Sequence, residues 1–196
     1  MPNIDLRDYS STDIERLSGG RLSRATLGAL VGAGVIHNVG SGRSLRISPR
    51  DAETLLDLPQ LDLSNHHGTY RVSVAPMKPD HTEDDEGNVI RTHRGVDLNN
   101  TYKLSPLMQE RAFTSFWPVS TQNERLAVER QSLLVASLRG YVHPTWARRI
   151  TGASRPLSGG RVLWETAPLT TKELETYFPK GPGLIEVPRG SVSGWL

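Results

Sequence analysis

Residues 91–103, RTHRGVDLNNTYK, place Arg91, His93, Arg94, Asp97, Asn99, Asn100, Tyr102 and Lys103 close together along the chain. These residue types serve at phosphate and base sites. A His–Asp pair can also do acid–base work, because imidazole titrates near neutrality and a carboxylate fixes its tautomer. On one strand His93 and Asp97 would share a face about 13 Å apart, at a rise of ~3.3 Å per residue, so a bend at Gly95 is needed to join them. If the chain is an enzyme, its expected catalytic residues are His93, Asp97 and Tyr102, in a nuclease- or glycosylase-type reaction. The structural alternative is a strand running into an Asn-rich turn.

Arginine supplies two further groups. Residues 1–50 carry Arg7, Arg16, Arg21, Arg24, Arg43, Arg46 and Arg50, with no lysine, and acidic residues gather further along. A helix entering the major groove needs short or polar residues in its first turn, and Ser23, Arg24 and Thr26 meet that need. Arg24 suits bidentate contact with guanine. Arg43 and Arg46, on a tip with Gly40 and Gly42, suit phosphates or the adjacent minor groove. With Arg21 and Arg50 these make the expected DNA-binding set. Arg139, Trp146, Arg148, Arg149 and Arg155 make an expected second nucleic-acid surface, with Arg148 and Arg149 on opposite faces of a strand. Trp117, Trp146 and Trp164 also have the alternative of packing in a core.

Other chemistries find little support. There is no cysteine, hence no disulfide, thiolate nucleophile or cysteine zinc site. The run DHTEDDEG at 80–87 matches no calcium loop and reads as a solvated tip between two strands. His66-His67, with His81 and His93, lack a zinc spacing. Walker, dinucleotide-glycine, G-x-S-x-G and H-E-x-x-H signatures are absent, so no metal or cofactor is expected.

The chain of 196 residues is 36% hydrophobic and 22% charged, with net charge +2, a folded and non-membrane composition. No apolar run approaches the ~20 residues of a membrane span. The first seventeen residues lack a signal-peptide pattern, so a cytoplasmic location is expected. The oligomeric state is left open.

Local signals organise the first sixty residues. Thr12-Asp13-Ile14-Glu15 has the form of a capping box opening a short helix that ends at Gly19-Gly20. Ser23 can cap a second helix carrying Leu27, Leu30 and Val31, stopped by Gly34 in the left-handed conformation. Val35–Ile47 reads as a hairpin with a GSG tip. Ser48-Pro49-Arg50-Asp51 starts a third helix that ends by Pro59. DIERLSGG, LSRATLGALVGAGVI, SGRSLRIS and SPRDAETLLDL together resemble the winged helix-turn-helix of the MerR superfamily and of excisionase-type domains, over residues 10–58. Leu27-Gly28-Ala29-Leu30 stands where that family has an aromatic and arginine pair. The resemblance implies double-stranded DNA as partner.

Beyond DLPQLDLSNHHG, a polar linker, strands are expected over 68–76, 88–98, 112–119, 132–142, 145–151 and 161–167, with helices at 120–130 and 170–178. The first of these alternates Tyr70, Val72 and Val74 as a half-buried strand does, and Gly140 marks a turn or bulge. AFTSFWPVS and SLLVASLRGYVHPTWARRITG resemble the core of PUA- and EVE-type barrels, which implies a pocket for a base. The expected architecture is α+β: a winged helix-turn-helix over 1–60, a linker over 61–69, and over 70–196 a curved, mainly antiparallel sheet or partly closed barrel with two short helices. The function expected first is a sequence-specific DNA-binding regulator whose second domain adds a nucleic-acid contact. The alternatives are an enzyme or reader of modified or foreign nucleic acid, and a protein-interaction module or inhibitor.

Overall fold

Serine caps set the first helices. The computed structural model describes residues 8–41, 43–63, 68–156, 160–187 and 192–196, and the chain divides into two units: Met1–Leu58 with Asp97–Asn99, and Pro59–Val96 with Asn100–Leu196. His66-His67, Gly42 and Arg7 lie outside the described residues.

In the first unit a two-residue strand β1 (Tyr9–Ser10) leads straight into α1 (Ser11–Leu17). The capping box is Ser10 with Asp13, two residues earlier than the Thr12–Glu15 pattern suggested. Both pairs satisfy the spacing rule, and the one whose first member has extended backbone wins. α2 (Arg24–Gly32) is capped by Ser23. It ends in a left-handed Gly34, where Gly34 N donates to Val31 O and Val35 N to Leu30 O. These bonds satisfy the last carbonyls of the helix.

β2 (Arg46–Ile47) precedes α3 (Pro49–Leu56), which has Ser48 as cap and Pro49 in its first turn, as the sequence suggests. The hairpin expected over 35–47 is reduced to one bridge, Asn38 with Ile47, and the bond from Val39 N to Arg46 O. β2 pairs instead with β1, antiparallel. Ile14, Leu22, Leu27, Leu30, Ile47 and Leu55 form the buried interior. Leu98 N donates to Ala33 O, which attaches Asp97–Asn99 to this unit.

The second unit carries the larger sheet. Its elements are β3 (Thr69–Ser73), β4 (Lys78–Glu83), β5 (Val89–Arg94), α4 (Pro106–Thr114), β6 (Ser115–Trp117), α5 (Thr121–Glu129), β7 (Leu133–Ser137), β8 (Tyr141–Val142), β9 (Ala147–Ser154), β10 (Val162–Pro168), α6 (Thr171–Tyr177), β11 (Gly183–Leu184) and β12 (Ser193–Trp195). Six strands lie in the order β12-β3-β7-β9-β10-β6. Every pairing is antiparallel except β3 with β7, and the sheet is open, so no barrel closes among the described residues. β4–β5 and β8–β11 are separate pairs.

The fold is mixed α and β, with departures from the expected strands. Residues 112–114 end helix α4 rather than start a strand, because Ser105 caps and Pro106 opens a helix upstream of them. Among the described residues this unit therefore has three α-helices, not two. Pro144–Trp146 is a single 3-10 turn, so β9 begins only at Ala147. β3 is buried along Thr69–Val72 on both faces, as an interior strand with neighbours on either side, and not half-buried. The core on one side gathers Leu61, Leu133, Val135, Ala147, Tyr177 and Phe178. Elsewhere Tyr70 meets Trp164 and Trp195 edge-on, with centroids 5.5 and 5.3 Å apart.

Candidate nucleic-acid interface

The stretch from Arg21 to Arg50 contains five arginines and no acid. The structure gives them different jobs. Arg21 donates to Ser18 O, Leu56 O and Leu58 O at 3.2, 3.2 and 3.3 Å. It thus serves the unsatisfied carbonyls at the end of α3. Arg24, Arg43, Arg46 and Arg50 are exposed and have no ion pair among the described residues.

The polar residues of the first turn of α2 face inward to the helix end. Ser23 Oγ accepts from Thr26 N at 3.2 Å and lies 3.0 Å from Thr26 Oγ1. Thr26 is buried. Both residues are therefore engaged in the cap, and Arg24 is the cation exposed at this end of the helix.

The segment that carries Arg43 and Arg46 is knit by one side chain. Asn38 Oδ1 accepts from Gly40 N at 3.0 Å and from Arg46 N at 2.9 Å. A Cβ on Gly40 would stand 2.5 Å from Ser44 O, so only glycine lets the two arms approach this closely. At the start of α3, Asp51 Oδ2 accepts from His37 N at 3.2 Å. That carboxylate is occupied by backbone, and Arg50 beside it is exposed with no ion pair among the described residues.

Among the residues expected to form a second surface, the guanidiniums are largely engaged. Arg148 pairs with Glu110 and donates to Thr166. Arg149 pairs with Glu173 and donates to Gln131 O at 2.7 Å. Arg155 pairs with Glu124 and donates to Val119 O at 3.0 Å. Trp146 is only 4% exposed and packs on Tyr141 and His143. Arg139 alone of this group is an exposed cation without an ion pair among the described residues.

The bonding in this group is strong. Thr170 N donates to Glu173 at 2.7 Å, and that bond, with those from Arg149 and Thr170 Oγ1, holds the Glu173 carboxyl at about 2. Burial alone would lower Arg149, but its bonds to Tyr177 and Glu173 raise it. These are fold-holding contacts, and only the partners' positions reveal them, since Arg149 and Glu173 lie on separate elements.

The residues of 91–103 have separate local partners. His93 stacks at a tilt on Tyr102, centroids 4.4 Å apart, and its Nδ1 lies 3.0 Å from Thr92 Oγ1. Asp97 belongs to the first unit, where its Oδ1 accepts from Asn99 N at 2.9 Å in a local turn. Arg91 and Arg94 share Asp80. Among the described residues no three histidine, aspartate or glutamate side chains gather as metal ligands, and no helix is long and apolar enough to cross a membrane.

No family model, curated protein or solved structure matches this chain.

Proposed function

We propose that the first unit binds duplex DNA, with α2 presented to the major groove through Arg24 and the 38–46 segment set against the backbone through Arg43 and Arg46. Arg50, at the start of α3, adds a fourth cation. The observation that carries the reading is the segregation of charge: from Arg21 to Arg50 there is no acid, and four arginines there are exposed with no ion pair among the described residues. Unpaired guanidiniums on a neutral background are what a polyanion recruits by counterion release. The succession of α1, α2, β2 and α3, with β1 laid against β2, supports the winged helix-turn-helix likeness on which this docking rests. Sequence-specific binding of this kind fits a transcription regulator.

The test is fluorescence anisotropy of the full chain with labelled duplexes across a salt series. Three phosphate contacts, from Arg43, Arg46 and Arg50, give a slope of log K against log salt of about −2.7, at about −0.9 per contact. Arg43→Ala or Arg46→Ala weakens binding to all sequences and makes the slope about one unit shallower, whereas Arg24→Ala flattens sequence preference. A chain that retains no duplex DNA at low salt refutes the proposal.

A further inference from the structure

Among the described residues, three buried side-chain polar atoms have no hydrogen-bond partner: Arg91 Nε, Ser115 Oγ and Trp164 Nε1. Two of these residues, Arg91 and Ser115, line one cavity of about 550 Å³ in the second unit. That volume is in the range of small-molecule sites. Buried polar groups without partners are rare and mark places where something is missing.

The cavity is strongly cationic. Lys78, Arg91, Arg94 and Arg161 all line it. Arg91 and Arg94 share the single carboxylate of Asp80, at 2.7 and 3.5 Å. Lys78 and Arg161 have no ion pair among the described residues. Lys78 and Arg94 also stand directly opposite each other on β4 and β5. Like charges so placed repel, an arrangement that a bound anion would relieve. Burial lowers the Arg91 proton affinity, Asp80 restores part of it, and the charges of Arg94 and Arg161 lower it further.

The cavity also has a planar, apolar side. Trp117 is half-buried in its wall, with its Nε1 anchored on Phe113 O at 2.7 Å, and Pro118 follows it. Beneath them Arg91 lies over the Phe116 ring, 4.6 Å from the centroid. Phe116 itself has φ +66. A bulky side chain in that region is strained, and such strain gathers at ligand sites. A second cavity, of about 530 Å³, has the side chains of Asp62 and Glu186 in its lining and does not suit an anion.

We propose that this cavity is a nucleotide site, which takes the phosphate on Lys78, Arg94 and Arg161 and the base against Trp117. Arginine and lysine together meet a phosphate by charge and by donor geometry, and indole offers any base a stacking face. Arg91, held by Asp80 and Phe116, sets the positive floor, and Ser115 supplies a hydroxyl. The site uses none of the residues assigned to duplex DNA.

Isothermal titration of the full chain with AMP, UMP, the matching nucleosides and inorganic phosphate tests it. The nucleotides bind, and phosphate or nucleoside alone binds about tenfold more weakly or not at all. Lys78→Ala and Arg161→Ala, both at cavity positions without ion pairs, each weaken nucleotide binding about tenfold and leave the melting temperature unchanged. Arg43→Ala leaves it untouched, which separates this site from the DNA surface. Absence of nucleotide binding at millimolar concentration overturns the proposal. So does binding that neither variant weakens, phosphate binding as tight as nucleotide, or retention of single-stranded oligonucleotides without free nucleotides.

Discussion

Glu173 closes the N-terminus of α6 and receives the Arg149 guanidinium from β9 with the same carboxylate. Its carboxyl sits at about 2, against 4.5 for an unperturbed glutamate, chiefly because Thr170 N donates to it. The unfolded chain therefore takes up this proton first as pH falls. The resulting stability is complete above about pH 4.5 and is lost as pH falls through the folded value. Glu173→Gln should cost about 1 kcal/mol near neutrality, with the gap between variant and parent closing in acid. Melting temperatures of both proteins from pH 7 to pH 3 check this, and a constant gap contradicts it.

Arg21 and Arg43 should separate cleanly in their effects. Arg21 serves three carbonyls, two of them at or just past the end of α3, whereas Arg43 is exposed with no ion pair among the described residues. Arg21→Ala is expected to destabilise the chain by about 1–2 kcal/mol, through lost charge-assisted bonds. Arg43→Ala should stay within about 0.5 kcal/mol of the parent. Urea unfolding measures both, and an equal loss from the two substitutions argues against these roles.

Two glycines of one helix region predict opposite signs. Gly34 has φ +70, and an added Cβ would collide with the Asn99 side chain, so Gly34→Ala should cost about 1–2 kcal/mol or more. Gly28 lies within α2 with open space around it, so Gly28→Ala should stabilise by about 0.5–1 kcal/mol. Thermal unfolding followed by circular dichroism reads both shifts.

Trp164 on β10 is 2% exposed and meets Tyr70 of β3 edge-on at 5.5 Å. Its replacement by alanine removes a large buried ring and leaves a cavity that neighbouring strands cannot fill. A loss of about 3–5 kcal/mol is expected in chemical denaturation. A loss below about 1 kcal/mol would show that this face of the sheet carries little of the stability.

The sequence by itself determined the ends of α2 and the start of α3, because the bonds that make them span three to five residues. Ser23 and Ser48 are caps in the structure as their spacing implies, and Gly34 is the left-handed stop. Asp84, in the acidic run, accepts from the Glu86 and Asn88 amides as a turn between β4 and β5 should. The tertiary structure alone decided that β2 pairs with β1, that β3 runs parallel to β7, and that Asp97–Asn99 joins the first unit. It also decided which arginines are available. Arg21 and Arg24 look alike in sequence, yet only Arg21 reaches the carbonyls near the end of α3, more than thirty residues away. Arg148, Arg149 and Arg155 resemble a basic patch until Glu110, Glu173 and Glu124 are brought beside them. A guanidinium's role depends on which carboxylate or carbonyl folding delivers to it, and that distance in sequence has no local signature.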